Sequence, residues 1–325
     1  MAKMTMVQAL NLALRQEMEK DDRVILLGED VGLDGGVFRV TDGLIESFGD
    51  QRVVDTPLAE TGIVGMSIGM AVYGLRPVCE IQFSGFSYQN FHQLENHAAR
   101  MRWRTQGRLT VPMVLRAPYG GGVRALEHHS ESREAYWAHT PGLKMVIPSG
   151  PRNARALLVS AIRDPDPVIF YESKALYRAF REEVPEEEET LPLGQPQVVR
   201  QGSDLSLIAY GAMMRPTLKA AEELAEEGVE AEVIDLLTIS PLDDTLLVES
   251  LTRTGRAVVV HEAPRSFGPG AEVVSRLMEG AFHYLQAPIE RVTGYDIVIP
   301  YFSREKEYIP SVERIVEAGR RTLRS

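Results

Sequence analysis

Cysteine is almost missing from this chain: Cys79 is the only one in 325 residues. A disulfide framework and a cysteine-built metal site are therefore excluded. Cys79 lies inside the apolar stretch RPVCEIQF and reads as a buried, inert thiol. Long apolar runs are lacking too. The N-terminal MAKMTMVQAL has no extended apolar core, and no apolar run reaches the roughly eighteen residues of a membrane span, so a cytoplasmic location is expected. Basic residues are in deficit: 35 Lys and Arg against 46 Asp and Glu leave a net charge of −11. That balance argues against nucleic acid as the main partner, because phosphate backbones are gripped by clustered Lys and Arg. Solubility alone accounts for the acidity. No G-x-G-x-x-G opens a helix after a strand, GPG at 268–270 being an imperfect match, and the Walker loop and H-E-x-x-H are both missing. His92 and His97 are five apart, which places them on different faces of an α-helix and weakens a metal reading. Most self-contained enzyme classes are disfavoured, which points to one part of a shared active site.

What is present is an ordinary globular composition, 44% apolar and 25% charged, so the whole chain is expected to fold. Its length suits two domains of roughly 150 residues. Short β-branched runs alternate with segments of helical period, the signature of an α/β fold with a mostly parallel sheet. Thr5 and Gln8 form a capping-box pattern ahead of an amphipathic stretch. RVILLGE (23–29) reads as a buried strand. A helix is expected from near Pro57 through GIVGMSIGMAVYG, where Gly62, Gly65 and Gly69 offer a smooth face for another backbone. Strand PVCEIQF follows, and Phe91, Leu94, Ala98 and Met101 fall at helical steps. VPMVLR, LKMVIPS, a helix from Pro151 to Arg163 and PVIFYE complete the first half.

The pattern then fails in REEVPEEEETLPLGQP, whose six glutamates read as a solvated spacer. The expected division is a first domain over 1–185, a linker over 186–203 and a second domain over 204–325. The second half opens with the strand DLSLIAYG and a helix bounded by Pro216 and Gly228. AEVIDL and RAVVVHE supply further strands, and a final helix carries Val312, Ile315 and Val316.

Several long strings resemble the beta subunits of thiamine-diphosphate-dependent 2-oxoacid dehydrogenase decarboxylases across essentially the full length. They are GEDVGLDGGVFRVTDGL (28–44), DTPLAETGIVGMSIGMAVYGLRPVCEIQF (55–83), HHSESREAYWAHTPGLKMVIP (128–148), SAIRDPDPVIFYE and VIDLLTISPLD. The resemblance implies an N-terminal pyrimidine-binding domain and a C-terminal transketolase-like domain. It also implies oxidative decarboxylation of a 2-oxoacid with acyl transfer to lipoamide, in an active site shared with an alpha subunit. Expected partners are alpha chains in an α2β2 heterotetramer and the lipoyl and peripheral subunit-binding domains of the acyltransferase core. Magnesium and the diphosphate would be held mainly by the alpha subunit, since no Gly-Asp-Gly occurs here and GLDGG is no substitute.

Residue by residue, the resemblance assigns Glu60, in PLAETG, to the pyrimidine-ring nitrogen, where a carboxyl sharing a proton favours the imino form of the neighbouring amine. Its bland alternative is a first-turn partner of the helix dipole. Phe86 is implied as a ring against the pyrimidine, with core packing the alternative, and Leu58 and Gln82 as neighbouring pocket residues. His129, reached through the Gly-rich PYGGGVRALEHHS, matches a histidine that donates a proton as the lipoyl disulfide takes up the acyl group. A loop histidine tied to backbone is its alternative, and that plainer reading is preferred for His128. Asp164 and Asp166, with the Ala161 and Ile162 carbonyls, fall where some family members hold potassium; the family pattern has an amide at position 166. The arginines of RMRWRTQGR suit a solvated or subunit-facing helix better than a phosphate site.

For the substrate, EAYWAHTPG, HEAP, AEVIDL and RVTGYD look more like branched-chain members, whereas EVPEEEE and YGAM are closer to bacterial pyruvate members. The balance leans to the branched-chain 3-methyl-2-oxobutanoate dehydrogenase. A non-catalytic interaction subunit and a free-standing transketolase-like enzyme are the rival readings.

Overall fold

A computed structural model describes residues 1–324, and their contacts gather into two compact units. One comprises Met1–Tyr119 and Tyr136–Leu193; the other comprises Gly120–Ala135 and the chain from Gly194 onward. The segment Gly120–Ala135 thus leaves the sequence neighbourhood of the first unit, which a single linear boundary near residue 185 does not express. Among the described residues no helix is long and apolar enough to cross a membrane.

In the first unit, parallel strands lie in the spatial order Lys144–Val146, Val168–Ser173, Val114–Tyr119, Arg76–Glu80, Val24–Gly28 and Val53–Asp55. Every residue of Val24–Gly28 and of Val168–Ser173 is buried, as a sheet covered on both faces requires. The helices Met6–Lys20 and Pro151–Arg163 pack against each other. The first is opened by the expected capping box, Gln8 N–H donating to Thr5 Oγ1 at 3.4 Å and Thr5 N–H to Gln8 Oε1 at 3.0 Å. Cys79 is wholly buried, and burial pushes its thiol up to about 12.

Two sequence expectations change here, and the glycine stripe lies on the surface. Gly62 and Gly69 face outward, because Ile63, Val64, Ser67, Ile68 and Ala71 take the buried side of Glu60–Val72. A Cβ on Gly69 would meet nothing within 4 Å among the described residues. The helix expected through Phe91 and Met101 is instead Phe91–Gln93, a π-helical turn Leu94–Ala98 and Met101–Arg104. In that turn Ala99 N–H reaches Leu94 O at 2.9 Å, five residues back. Residues five apart then share a face, and the His92 and His97 rings lie 5.0 Å apart and edge to face, not on opposite sides.

The acidic stretch is not a free spacer either. Glu182–Val184 pairs antiparallel with Ala2–Met4. Glu188 bonds Lys20 and Arg163, Glu189 is gripped by Arg152 at 2.6 to 3.0 Å, and Glu187 O accepts from Arg155 at 2.8 Å. Arg152, Arg155 and Arg163 are spaced i, i+3 and i+11, which puts them on one helix face and lays the glutamates along it. Within the expected linker, Gln197–Arg200 is the antiparallel edge strand of the second sheet.

The second unit is a sheet in the order Glu290–Gly294, Ala257–Pro264, Leu205–Ala209, Ala231–Asp235 and Gln197–Arg200, parallel but for that edge. The final helix, Val312–Arg324, buries Ile315 and Val316. The helix expected between Pro216 and Gly228 runs Met214–Glu226, with Pro216 in its first turn, where a missing N–H is tolerated.

Candidate active site

Chain order in the first sheet reverses at Val24–Gly28: the next strand, Val53–Asp55, lies on one side and the following one, Arg76–Glu80, on the other. Such a reversal opens a crevice at the carboxyl ends of the parallel strands, where open α/β sheets bind ligands. The chain leaving these strand ends supplies Glu29, Asp30 and Gln82, and the helix that follows Val53–Asp55 supplies Glu60. Gln82 Nε2 donates to Asp30 Oδ2 at 2.9 Å, tying two of the loops together. Asp55 accepts from Gly32 N–H at 2.5 Å and Leu33 N–H at 3.1 Å. A Cβ at Gly32 would collide with that carboxylate, so glycine is required for the loop to be pinned there.

Glu60 is the first residue of its helix and only 6% exposed. The preceding Ala59 provides no side-chain cap, so the first-turn N–H groups present their positive end to this carboxyl. No hydrogen-bond partner for the Glu60 carboxyl is found among the described residues. Its charge is felt by Glu29, whose carboxyl is raised first by burial and then by Asp30 and Glu60. A nearly buried acid with its acceptors uncommitted, at the switch point of a parallel sheet, fits a ring nitrogen that donates or shares a proton. Phe86 is half-buried in the turn Ser84–Asn90, edge-on to Phe83 at 5.8 Å. Leu58 is 70% exposed beside Glu60. The donor set therefore suits the aminopyrimidine of thiamine diphosphate.

A charged cluster behind this edge escapes sequence reasoning. Arg116 Nη1 donates to Glu80 at 2.7 Å, and Nε and Nη2 grip Glu172 at 2.7 and 2.8 Å. Tyr177 Oη donates to Glu172 at 2.7 Å. All these groups are buried. The available signal was that the strings PVCE, VPMVLR and PVIFYE each end on a charge, of complementary sign.

His129 lies in the second unit, half-buried in the one-turn helix Glu127–His129, while His128 is exposed. His129 N–H donates to Leu126 O at 3.0 Å. The candidate potassium ligands of the first unit are committed elsewhere. Ile162 O accepts from Arg76 at 2.7 Å, Asp164 from Lys144 at 2.6 Å, Asp166 from Arg102 at 2.6 Å, and Ala161 O from Asp164 N–H at 3.3 Å. Oxygens already matched to three side-chain cations do not fit a bound potassium ion, and no role for one is built on them. Among the described residues no group of three or more His, Cys, Asp or Glu is placed to hold a metal. The arginine stretch likewise turns to protein acceptors, Arg100 to Glu95 and Arg104 to Asn96 O.

Residues 2–179 match the pyrimidine-binding domain of transketolase and residues 194–315 its C-terminal domain. The chain belongs to the transketolase-type beta subunits of thiamine-diphosphate-dependent 2-oxoacid dehydrogenases. Its relatives include the pyruvate dehydrogenase E1 component subunit beta of Staphylococcus aureus (strain N315), 50% identical over 323 residues and 99% of both chains. The protein of the same name from Staphylococcus epidermidis (strain ATCC 12228) matches equally, at 50% over 99% of both. A solved split-gene transketolase, an inactive beta4 tetramer, superposes with a TM-score of 0.80 over 99% of both chains; at 21% identity it bears on the fold alone.

Proposed function

We propose that this chain is the beta subunit of a pyruvate-decarboxylating member of that family. The observation that carries the substrate is the 50% identity, over nearly the whole length, to bacterial subunits named for pyruvate. The branched-chain strings EAYWAHTPG and HEAP are short by comparison, and these relatives do not uphold the lean drawn from them. They keep 3-methyl-2-oxobutanoate as the second reading. Comparing kcat/KM for the two acids in the enzyme reconstituted with its alpha subunit decides it; preference for the branched acid would overturn the pyruvate reading.

Glu60 is assigned to hold a proton on the pyrimidine ring, with Phe86 as a flat apolar support and Leu58 and Gln82 bordering the ring. Thiamine diphosphate, when bound, supplies the nucleophilic carbon and electron sink for decarboxylation. Its charged tail, with magnesium, belongs on the alpha subunit. His129 is assigned to the acyl-transfer step: the lipoyl S–S bond breaks, one sulfur takes the acyl group, and the other takes the imidazolium proton. Replacing Glu60 with Gln keeps the shape and removes the shared acid. We expect decarboxylation to fall by about 10²-fold or more with α2β2 assembly intact by sedimentation. An unchanged rate would favour a non-catalytic interaction subunit instead.

A further inference from the structure

The stretch from Gly120 to Ala135, which carries His129, is fastened to its unit by carboxylates that come from far along the chain. Gly121 N–H donates to Glu262 at 2.9 Å. Gly122 N–H donates to Glu305 Oε1 and Arg124 N–H to Glu305 Oε2, both at 3.0 Å. The Glu127 carboxyl, in the same turn as His129, is held below its ordinary range first by a backbone N–H and then by the Tyr301 hydroxyl. Tyr210 Oη donates to Glu134 at 2.6 Å where the stretch ends. The loop is also pressed close: a Cβ at Gly121 would lie 2.9 Å from Ile309 and 3.1 Å from Ile299.

Glu305 stands out among these fasteners. It is 2% exposed, and among the described residues its carboxylate has no ion-pair partner. A buried carboxylate without a cation is costly unless hydrogen bonds to it are made in full. The hydrogen bonds to its two oxygens both come from loop N–H groups. These charge-assisted bonds fix the backbone at 122 and 124, where Gly122 has a φ of +91° and Arg124 of +57°. Both lie in the left-handed region, which for Arg124 persists only if its surroundings enforce it.

We propose that Glu305 is a positioning residue for His129, clamping the loop backbone so that the imidazole is held for proton delivery during acyl transfer. The inference rests on the assignment of His129 made above. Its test separates the two. In the assembled α2β2 enzyme, decarboxylation is followed with an artificial dye acceptor, and acyl transfer with a free lipoyl domain. Glu305→Gln replaces one acceptor oxygen by an amide that confronts a backbone N–H. It is expected to lower the acyl-transfer rate about tenfold and leave the dye-coupled rate within about threefold. Added to His129→Ala it should lower acyl transfer no further, because two changes acting through one group are not additive.

Equal loss of both rates, or full additivity in the double variant, would overturn the proposal in favour of a purely structural role. If His129→Ala lowers acyl transfer and Glu305→Gln does not, the clamp alone is wrong. If His129→Ala has no effect, the histidine's assignment fails and the clamp with it. Should Glu305→Gln prevent assembly, Tyr301→Phe takes its place. It removes only the hydroxyl that acts on the Glu127 carboxyl, from a residue 54% exposed. The same selective loss, about threefold, is expected; equal rates in both assays would overturn the proposal.

Discussion

Glu134 shows how an environment assembled from distant residues changes one side chain. It is fully buried, and burial pushes its carboxyl up to about 7 against the pull of the Tyr210 hydrogen bond, with the Glu262 charge adding to the rise. The folded state therefore keeps a proton that the unfolded chain has already released, so stability falls as pH rises from the ordinary carboxyl range to about 7. Glu134→Gln keeps the acceptor for Tyr210 and removes the charge. The variant's apparent Tm should match the parent near pH 4 and exceed it at pH 8, by an amount equivalent to roughly 3 kcal/mol at most. A parallel pH dependence of the two would show that the carboxyl is not raised. Arg116 carries the opposite risk. Its removal leaves Glu80 and Glu172 buried without their cation, so Arg116→Met should cost about 3 to 5 kcal/mol, read as a loss of denaturant midpoint. The burial of Glu134 is not visible in the string around it, because desolvation is a property of what packs against a group.

At the scale of elements, the helix opening at Met6 depends on two local bonds between Thr5 and Gln8. Thr5→Ala should lower stability by about 1 kcal/mol, measured by chemical denaturation, and an unchanged midpoint would mean the cap is idle. That cap was legible in the sequence because its partners are three residues apart. So were the buried strands, whose apolar runs need both faces covered. The π turn was not legible: it depends on one extra residue accommodated between Leu94 and Ala99, and the apolar spacing alone fits an α-helix as well. The acidic stretch was misread for a related reason. Glutamates without periodicity look solvated until Arg152 and Arg163, on a helix earlier in the chain, are seen to meet them.

At the scale of the whole molecule, the chain carries a domain of the pyrimidine-binding family without the Gly-Asp-Gly of the magnesium-diphosphate signature. Titrating the isolated chain with thiamine diphosphate and magnesium in a calorimeter should give little heat. The same titration after mixing with the alpha subunit should give saturable binding. Tight binding by the chain alone would favour a free-standing transketolase-like enzyme. The family and the parallel-sheet architecture were determined by the sequence itself, because ordered motifs, two-sided apolar runs and a capped helix are encoded by near neighbours. The tertiary structure alone decided that Gly120–Ala135 belongs with the second unit, that Glu305 caps its backbone, and that Lys144, Arg76 and Arg102 hold the oxygens once expected to bind potassium. Those outcomes depend on hydrogen bonds and charge pairs between residues 20 to 183 positions apart, whose energies exist only once the backbone has brought them within reach.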